Sequence, residues 1–224
     1  MPDFQRQPES AAQKPFLNRE IALWKAALIV AAALVVVIAS MTAIGQRYFW
    51  RPSLATPQER GLAYYQALVE KEPSPENWVN LGWHFYQSGD YTQALECYDQ
   101  ALSLDPDHFA ALLNTGLTYL QLRHYDSARE YLEKGVQIES ASWEAHLYLG
   151  LAYIGQEKWD AAAAALSRSL ELNRHVADTH YYLGYVAEQQ GDLDNALESY
   201  REALRYNPDS AEAQEGLARL EGAE

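Results

Sequence analysis

The sequence of 224 residues contains little cysteine and few basic side chains. Its one cysteine, Cys97, excludes a disulfide within a single chain and any site built from several thiolates of that chain. The 17 lysines and arginines are outnumbered by 31 aspartates and glutamates, which gives a formal net charge of −14. Because a protein needs lysine and arginine to displace the counterions of phosphates, we do not expect nucleic acid to be a partner.

The short motifs of common enzymes are also missing. The sequence has no glycine-rich phosphate loop, no HExxH zinc motif, no GxSxG nucleophile motif and no kinase signature. Its carboxylates are mixed with basic residues, as in Glu130, Glu133 and Lys134, which is typical of solvent-exposed helix faces. We therefore predict that the protein is not an enzyme and uses no cofactor.

One long apolar run stands near the N-terminus. Residues 26–45 contain no charged side chain, and as a helix with a rise of about 1.5 Å per residue they span roughly 30 Å, the thickness of a bilayer core. Aromatic and basic residues flank the run on both sides, as at membrane interfaces. We predict a single-pass transmembrane helix, a signal-anchor, over 26–45, after a short basic tail over 1–25. A cleaved signal peptide and a buried soluble helix are the alternatives.

Charge gives a prediction of membrane sidedness. The residues before the apolar run carry a small excess of basic side chains over those that follow it closely, and basic loops favour the cytoplasmic side. We expect the N-terminus in the cytoplasm and the acidic remainder on the far side of the membrane, which is the periplasm if the protein is bacterial.

A period of 34 residues runs through the rest of the chain. One ladder of glycines and one ladder of alanines recur in the same register over four cycles, and we expect both at points where paired helices pack closely. These repeat-packing residues are Gly82, Ala94, Gly116, Ala128, Gly150, Ala162, Gly184 and Ala196. Apolar residues recur at steps of three and four in both halves of each cycle, which predicts two amphipathic helices per repeat.

The first repeat carries W78-x2-L81-G82-x2-F85, followed by A94-x3-Y98-x2-A101 and P106. This pattern resembles the tetratricopeptide repeat (TPR) family, and the resemblance covers four units, residues 75–108, 109–142, 143–176 and 177–210. It implies an all-α fold, a right-handed superhelical solenoid of four helix-turn-helix units. Together with terminal capping helices and the N-terminal transmembrane helix, this is the predicted architecture.

Two further segments are predicted to cap the repeats. Residues 46–74 form a juxtamembrane linker and a capping helix over 57–71, because Thr56 and Pro57 are typical of a helix start and apolar residues follow at helical spacing. Docking on the first unit is favoured over a free helix. Residues 211–224 form the C-terminal capping helix, since a solenoid needs polar outer faces at its ends.

The resemblance also implies where a partner binds. In this family the first helix of each unit lines a concave groove that takes a peptide or a partner helix. The family's groove positions fall here on Val79, Asn80, Trp83, Tyr86, Gln87, Leu113, Asn114, Leu117, Leu120, Gln121, Leu147, Tyr148, Leu151, Ile154, Tyr181, Tyr182, Tyr185, Glu188 and Gln189.

This set is apolar and aromatic, with amides along it and no lysine or arginine. Tyrosine and tryptophan are common anchors of interfaces, and amides bond a ligand backbone. The set lacks the cations with which some family members clamp a carboxylate, so we expect an apolar, amphipathic or basic segment of a protein or peptide. Filling of the groove by the chain itself, or by a second copy in a homo-oligomer, is the alternative.

Two histidines and the cysteine are the remaining candidates for chemistry. His146 and His180 share one repeat position, but two ligands make a poor zinc site, so we expect packed histidines and no metal. Cys97 lies in mid-helix with no flanking histidine or cysteine motif.

These observations predict a membrane-tethered scaffold or adaptor that binds a partner polypeptide in the groove, in the assembly, folding or translocation of membrane or exported proteins. The alternative is a permanent structural subunit of a membrane complex, or a self-associating repeat protein.

Overall fold

The computed structural model describes residues 56–222, and the predicted transmembrane helix over 26–45 lies outside them. From Pro57 onward the chain forms one compact unit. Within the described residues it has ten helices and no strand: α1 (Pro57–Lys71), α2 (Pro75–Gln87), α3 (Tyr91–Leu104), α4 (Phe109–Gln121), α5 (Tyr125–Ile138), α6 (Trp143–Gly155), α7 (Trp159–Leu172), α8 (Ala177–Gln190), α9 (Leu193–Tyr206) and α10 (Ala211–Glu221). None of these ten is long and apolar enough to cross a membrane. The predicted all-α class and repeat solenoid are confirmed.

Local sequence explains where these helices begin. The side chains of Ser74, Ser142 and Ser210 accept hydrogen bonds from backbone N–H groups in the first turns of α2, α6 and α10. Asp90 and Asp192 do the same for α3 and α9. Each cap satisfies a donor that has no partner within the helix, so the helix start is fixed by the residue before it.

The turns inside the units need a left-handed backbone residue. Gly89 and Gly191 take this conformation in units one and four, with φ of 80° and 79°. In units two and three the same conformation is held by Arg123 and Glu157, with φ of 59° and 57°. A non-glycine residue has a steric cost in this conformation. The turns of units two and three are therefore less favourable than those of units one and four.

Glycines set the distance between the two helices of each unit. A Cβ atom added to Gly82 would lie 2.5 Å from a ring carbon of Tyr98, and one added to Gly116 would lie 2.5 Å from Leu132. Gly150 and Gly184 meet Leu166 and Tyr200 in the same way, and the facing Ala94, Ala128, Ala162 and Ala196 are fully buried. The backbones approach closely because small residues leave room for one large side chain beneath each glycine.

The units stack with different spacing on their two sides. The first helices of successive units, α2, α4, α6 and α8, contact one another in sequence, whereas the second helices, α3, α5, α7 and α9, make no contact among themselves. Neighbouring helices are closest on the inside of a curve. We therefore call α2, α4, α6 and α8 the inner helices, α3, α5, α7 and α9 the outer helices, and the surface of the inner helices the groove.

The two end helices continue this pattern. Helix α1 contacts α2, as an outer helix of a preceding unit would, and Val69 packs in a buried cluster with Leu81 and Cys97. Helix α10 contacts α8 and α9, which is the place of a fifth inner helix. The docked arrangement of the 57–71 helix is thus the one observed, and both ends of the apolar core are covered.

Hydrogen bonds between helix ends join three of the units. The Gln156 side-chain amide donates to Asp126 Oδ1 (2.9 Å) between units two and three, and Gln190 donates to Asp160 Oδ1 (2.7 Å) between units three and four. One repeat earlier, between units one and two, Leu122 and Thr92 hold the matching positions. Leucine cannot donate this bond, so the first seam between units lacks it.

Candidate partner-binding groove

The groove has a charge of one sign. The four inner helices contain no lysine or arginine, and their acidic residues are Glu76, Glu144, Asp178 and Glu188. Helix α4 has no charged residue at all. Within residues 56–222 the lysines and arginines lie on the outer helices, turns and end helices, so a partner in the groove meets apolar, amide and acidic groups.

The structure places most of the predicted groove residues at the surface of the inner helices. Asn80, Trp83, Gln87, Gln121 and Gln189 are exposed. The half-buried members are Tyr86, Leu113, Asn114, Leu117, Leu120, Tyr148, Leu151, Ile154, Tyr181, Tyr182, Tyr185 and Glu188. A strip of this kind can seat apolar side chains while its amides remain available for hydrogen bonds.

Two of the predicted groove residues do not lie at the surface. Val79 is 8% exposed and packs against Ala94 and Tyr98, and Leu147 is 6% exposed and packs in a cluster with Leu166. These side chains point toward the neighbouring helices of the stack and belong to the core, so their assignment to the partner-binding surface is corrected.

Aromatic rings give each end of the groove a firm surface. In unit one the rings of Trp83 and Tyr86 are stacked, with centroids 5.1 Å apart and an angle of 11° between planes. In unit four the rings of Tyr181 and Tyr182 pack edge to face at 5.0 Å. Rings held by one another lose little conformational freedom on binding, which makes them suitable anchors for a partner.

Two amides in the first half of the groove are free to bind. The side chains of Asn80 and Asn114 make no hydrogen bond within the described part of the chain, and they are one repeat apart. Each offers two donors and one acceptor. A polypeptide backbone with unpaired N–H and C=O groups would satisfy them.

Carboxylates accompany the tyrosines in the second half of the groove. Glu76, Glu144, Asp178 and Glu212 take the same position in units one, three and four and in α10. Four residues later stand Tyr148 and Tyr182 in units three and four, and Asn80 in unit one. Residues four apart lie on one helix face. Burial raises the pKa of the Tyr148 hydroxyl, and the nearby charges of Glu144 and Asp178 raise it further. These carboxylates and tyrosine rings therefore lie close together.

Glu188, also a predicted groove residue, is already occupied by the chain itself. Arg219 of α10 donates to both of its carboxylate oxygens, at 2.7 and 2.8 Å, and the Tyr200 hydroxyl donates to it at 2.7 Å. The hydrogen bond from Arg219 is the largest cause that holds the pKa of Glu188 below its ordinary value. The C-terminal helix thus closes the end of the groove and neutralises this acid.

The histidines serve the packing of the repeats. The His146 Nε2 nitrogen donates to the backbone carbonyl of Ser140 (3.2 Å), and His180 donates in the same way to Arg174 (3.0 Å), one repeat later. Cys97 is buried, and burial raises the pKa of its thiol to about 12, so it stays protonated at neutral pH. Among residues 56–222 no three histidine, cysteine or acidic side chains gather in a metal-binding arrangement.

Sequence reasoning missed four residues of this surface: Glu76, Glu144, Asp178 and Arg219. A signal for the three acids was present, because Glu76, Glu144, Asp178 and Glu212 share one 34-residue register. Arg219 pairs with an acid 31 residues earlier, a separation that joins one unit to the next in this fold. Pairs at separations of 30 or 31 also include the two Gln–Asp bonds, so this spacing marks contacts between units.

Comparison with known proteins gives matches to repeat proteins. The family model described as Tetratricopeptide repeat matches residues 79–146, 118–175, 147–204 and 183–221, which together span well over half of the chain. The photosystem I assembly protein Ycf3 of Acaryochloris marina (strain MBIC 11017) is 39% identical over 57 residues. That match covers 24% of this chain and 34% of the relative, so it spans about a third of the relative's length.

Solved structures agree with the repeat architecture. A crystal structure of MamA is 31% identical and superimposes with a TM-score of 0.60, over 64% of this chain and 84% of that one. The structure of MamA residues 41 to the end, from Desulfovibrio magneticus RS-1, is 27% identical with a TM-score of 0.63, over 76% of this chain and 94% of that one.

Proposed function

This chain belongs to the tetratricopeptide repeat family, and from that premise we propose that it is a non-enzymatic scaffold that binds a partner polypeptide in the groove. The observation that carries the proposal is the groove itself: a strip of half-buried aliphatic and aromatic side chains with free amides, on helices that carry no lysine or arginine. Monomeric proteins rarely leave such a strip without a binding role.

The proposed biological role is the assembly of other proteins. A relative that shares part of the repeats is named as an assembly protein, which supports this class of function for the matched segment. An assembly scaffold needs a preformed surface that seats a segment of its client, and the stacked rings and capped ends of the solenoid provide one.

We also propose that residues 26–45 tether the repeats to a membrane, with the N-terminus in the cytoplasm and the repeat domain on the far side. The support is the apolar run and its aromatic and basic flanks. A tether raises the local concentration of the groove near membrane-bound clients, so a modest affinity is sufficient. Resistance of the full chain to alkaline carbonate extraction tests the anchor, and protection of the repeats from protease in intact cells tests the sidedness.

The test of the groove compares two double variants of the full chain in mild detergent. Trp83→Ala with Tyr182→Ala removes one ring from each end of the groove, and Trp83 is 37% exposed. Leu104→Ala with Leu193→Ala is the matched control, because these exposed apolar side chains, 53% and 50% exposed, lie on the outer helices. We expect cross-linking of partner polypeptides to fall at least tenfold in the first variant and to stay unchanged in the control.

Equal capture by both variants would show that the groove is not the binding surface. A single partner recovered in fixed stoichiometry would favour the alternative of a permanent subunit. Association of the purified chain with itself, measured by light scattering and lost in the groove variant, would favour self-association.

A further inference from the structure

The groove changes its chemistry along its length. Over units one and two it offers the free amides of Asn80 and Asn114 beside Trp83 and Leu117. Helix α4 contributes no charge, and the one acid of α2, Glu76, lies 3.6 Å from the His108 imidazole. Over units three and four it offers the rings of Tyr148 and Tyr182 beside acidic side chains. A partner that fits the whole groove has to match this order.

We infer that the partner is an extended segment with apolar side chains over units one and two and with lysine or arginine side chains over units three and four. This inference rests on the proposed function, because it identifies what the same groove binds. The charge complementarity of the two halves selects this occupant over a second copy of the chain, whose net charge of −14 would be repelled.

Free amides favour an extended partner. Asn80 and Asn114 have no hydrogen-bond partner within the described residues, and they face the groove one repeat apart. The backbone groups of a helix are satisfied within the helix, whereas an extended segment presents unpaired N–H and C=O groups. An extended backbone across units one and two would therefore satisfy both amides.

Acids and rings together favour cationic side chains in the second half. Glu144 and Asp178 each lie one helical turn from a tyrosine on the same face, and a lysine or arginine seated there meets a carboxylate and the face of a ring. No cation of the inner helices competes for these acids. The Ser142 hydroxyl donates to Glu144 (3.0 Å) and leaves its charge in place.

The chain itself provides an example of this recognition. Arg219 of α10 binds the carboxylate of Glu188 at the end of the same surface through two hydrogen bonds. An arginine thus occupies the one acid of the inner helices that the C-terminal helix can reach, whereas Glu144 and Asp178 form no ion pair within the described residues.

The repeat spacing sets the spacing of the cations in the partner. Packed helices lie about 8–10 Å apart, and an extended segment in the polyproline II conformation rises about 3.1 Å per residue and brings every third side chain to the same face. Acids on successive inner helices are therefore matched by cations three residues apart, as in Lys-x-x-Lys.

The test measures the binding of four synthetic peptides to the full chain by fluorescence anisotropy at low salt. The first peptide of twelve residues carries three leucines in one half and Lys-x-x-Lys in the other. It is made in two versions, with the leucine half at the N-terminus or at the C-terminus. In the second both lysines are glutamines, in the third both are glutamates, and in the fourth the two lysines are adjacent. We expect the first peptide to bind at least tenfold more tightly than the second and fourth, and the third not to bind.

A pair of double variants then locates the effect. Glu144→Gln with Asp178→Asn should reduce the affinity for the lysine peptide about tenfold and leave the glutamine peptide unchanged. Glu130→Gln with Glu198→Gln makes the same change of net charge on the outer helices and should change neither affinity by more than twofold. Circular dichroism confirms that both variants remain helical.

The outcomes separate the two proposals. If the lysine and glutamine peptides bind equally, the charge inference is overturned and the groove proposal stands. If the outer pair of substitutions has the same effect as the inner pair, the preference comes from net charge and the inference is again overturned. If the adjacent-lysine peptide binds as well as the first, the spacing is wrong, and if no peptide binds at millimolar concentration both proposals fail.

Discussion

Unit one and unit four contain the same tyrosine in two different settings. Tyr98 and Tyr200 occupy equivalent positions of their outer helices, both are fully buried, and each lies beneath the glycine of its partner helix, Gly82 or Gly184. The Tyr200 hydroxyl donates to Glu188, whereas the Tyr98 hydroxyl has no hydrogen-bond partner in the part of the chain that the structure describes.

The difference comes from one groove position. Unit four has Glu188 where unit one has Tyr86, so the fourth unit pairs its buried hydroxyl with a carboxylate and then pairs the carboxylate with Arg219. Unit one leaves the hydroxyl unpaired, which costs free energy in the folded state. The ring fills the same space in both units, but the hydroxyl makes a hydrogen bond only in unit four.

Removal of the two hydroxyls should give the largest contrast. Tyr200→Phe deletes a hydrogen bond to a charged group and should lower the free energy of unfolding by about 1.5–3 kcal/mol. Tyr98→Phe deletes an unpaired buried hydroxyl and should leave the stability unchanged or raise it slightly. Chemical denaturation of the full chain, followed by circular dichroism, measures both, and equal losses would mean that Tyr98 has a partner.

A fall in pH should destabilise the fourth unit, because it protonates Glu188. The pKa of Glu188 is lowered in the folded state, so its charged form stabilises the fold. This contribution is complete above the ordinary glutamate value of 4.5 and is lost as the pH falls through the lower folded value. Glu188→Gln should cost about 1 kcal/mol at pH 7, because Arg219 is half exposed and the pair is partly screened.

Amide hydrogen exchange in α9 and α10 reports this region separately from α2 and α3. The difference between the wild type and Glu188→Gln should disappear in α9 and α10 once the pH is below the lowered pKa of Glu188, while α2 and α3 show no difference at any pH. A difference that persists in acid would show that the carboxylate acts by its shape and not by its charge.

Substitutions in the turns should have the smallest effects on stability, and they extend the comparison to units two and three. Gly191→Ala places a side chain at φ of 79° and should cost about 1 kcal/mol. Glu157→Gly relieves the same strain at φ of 57° and should stabilise by about 0.5–1 kcal/mol. Arg123→Gly should gain less, because it also removes the bond from the Arg123 guanidinium to the Tyr125 hydroxyl (2.9 Å). Thermal denaturation ranks the three variants, and a loss on Glu157→Gly would contradict the account.

Much of this fold could be predicted because its pattern occurs four times. The inner helices begin at Pro75, Phe109, Trp143 and Ala177, the residues that the 34-residue register gives as the unit starts. A single copy with Thr115 or Gly135 in place of the usual apolar residue would leave the pattern ambiguous. The shared register removes that ambiguity.

Less of the groove could be predicted, because exposure depends on the neighbouring helix. Val79, Leu113, Leu147 and Tyr181 share one position, yet the first and third are buried while the second and fourth are half-buried. The period assigns all four one role, although their exposure differs from unit to unit. Whether the groove residues bind a partner stays a prediction until the experiments above are done.

The glutamine–aspartate hydrogen bonds between units affect how the solenoid responds to a force that opens it. The seams between units two and three and between units three and four each carry a glutamine–aspartate bond at the turn edge, and the first seam has Leu122 and Thr92 instead. The ion pair between Glu76 and His108 across the first seam (3.6 Å) requires a protonated histidine. When a bulky client forces the curved stack to open, we therefore expect units one and two to separate first. Unit one, which presents Trp83, then tilts relative to unit two, while units three and four keep the distance between their helices.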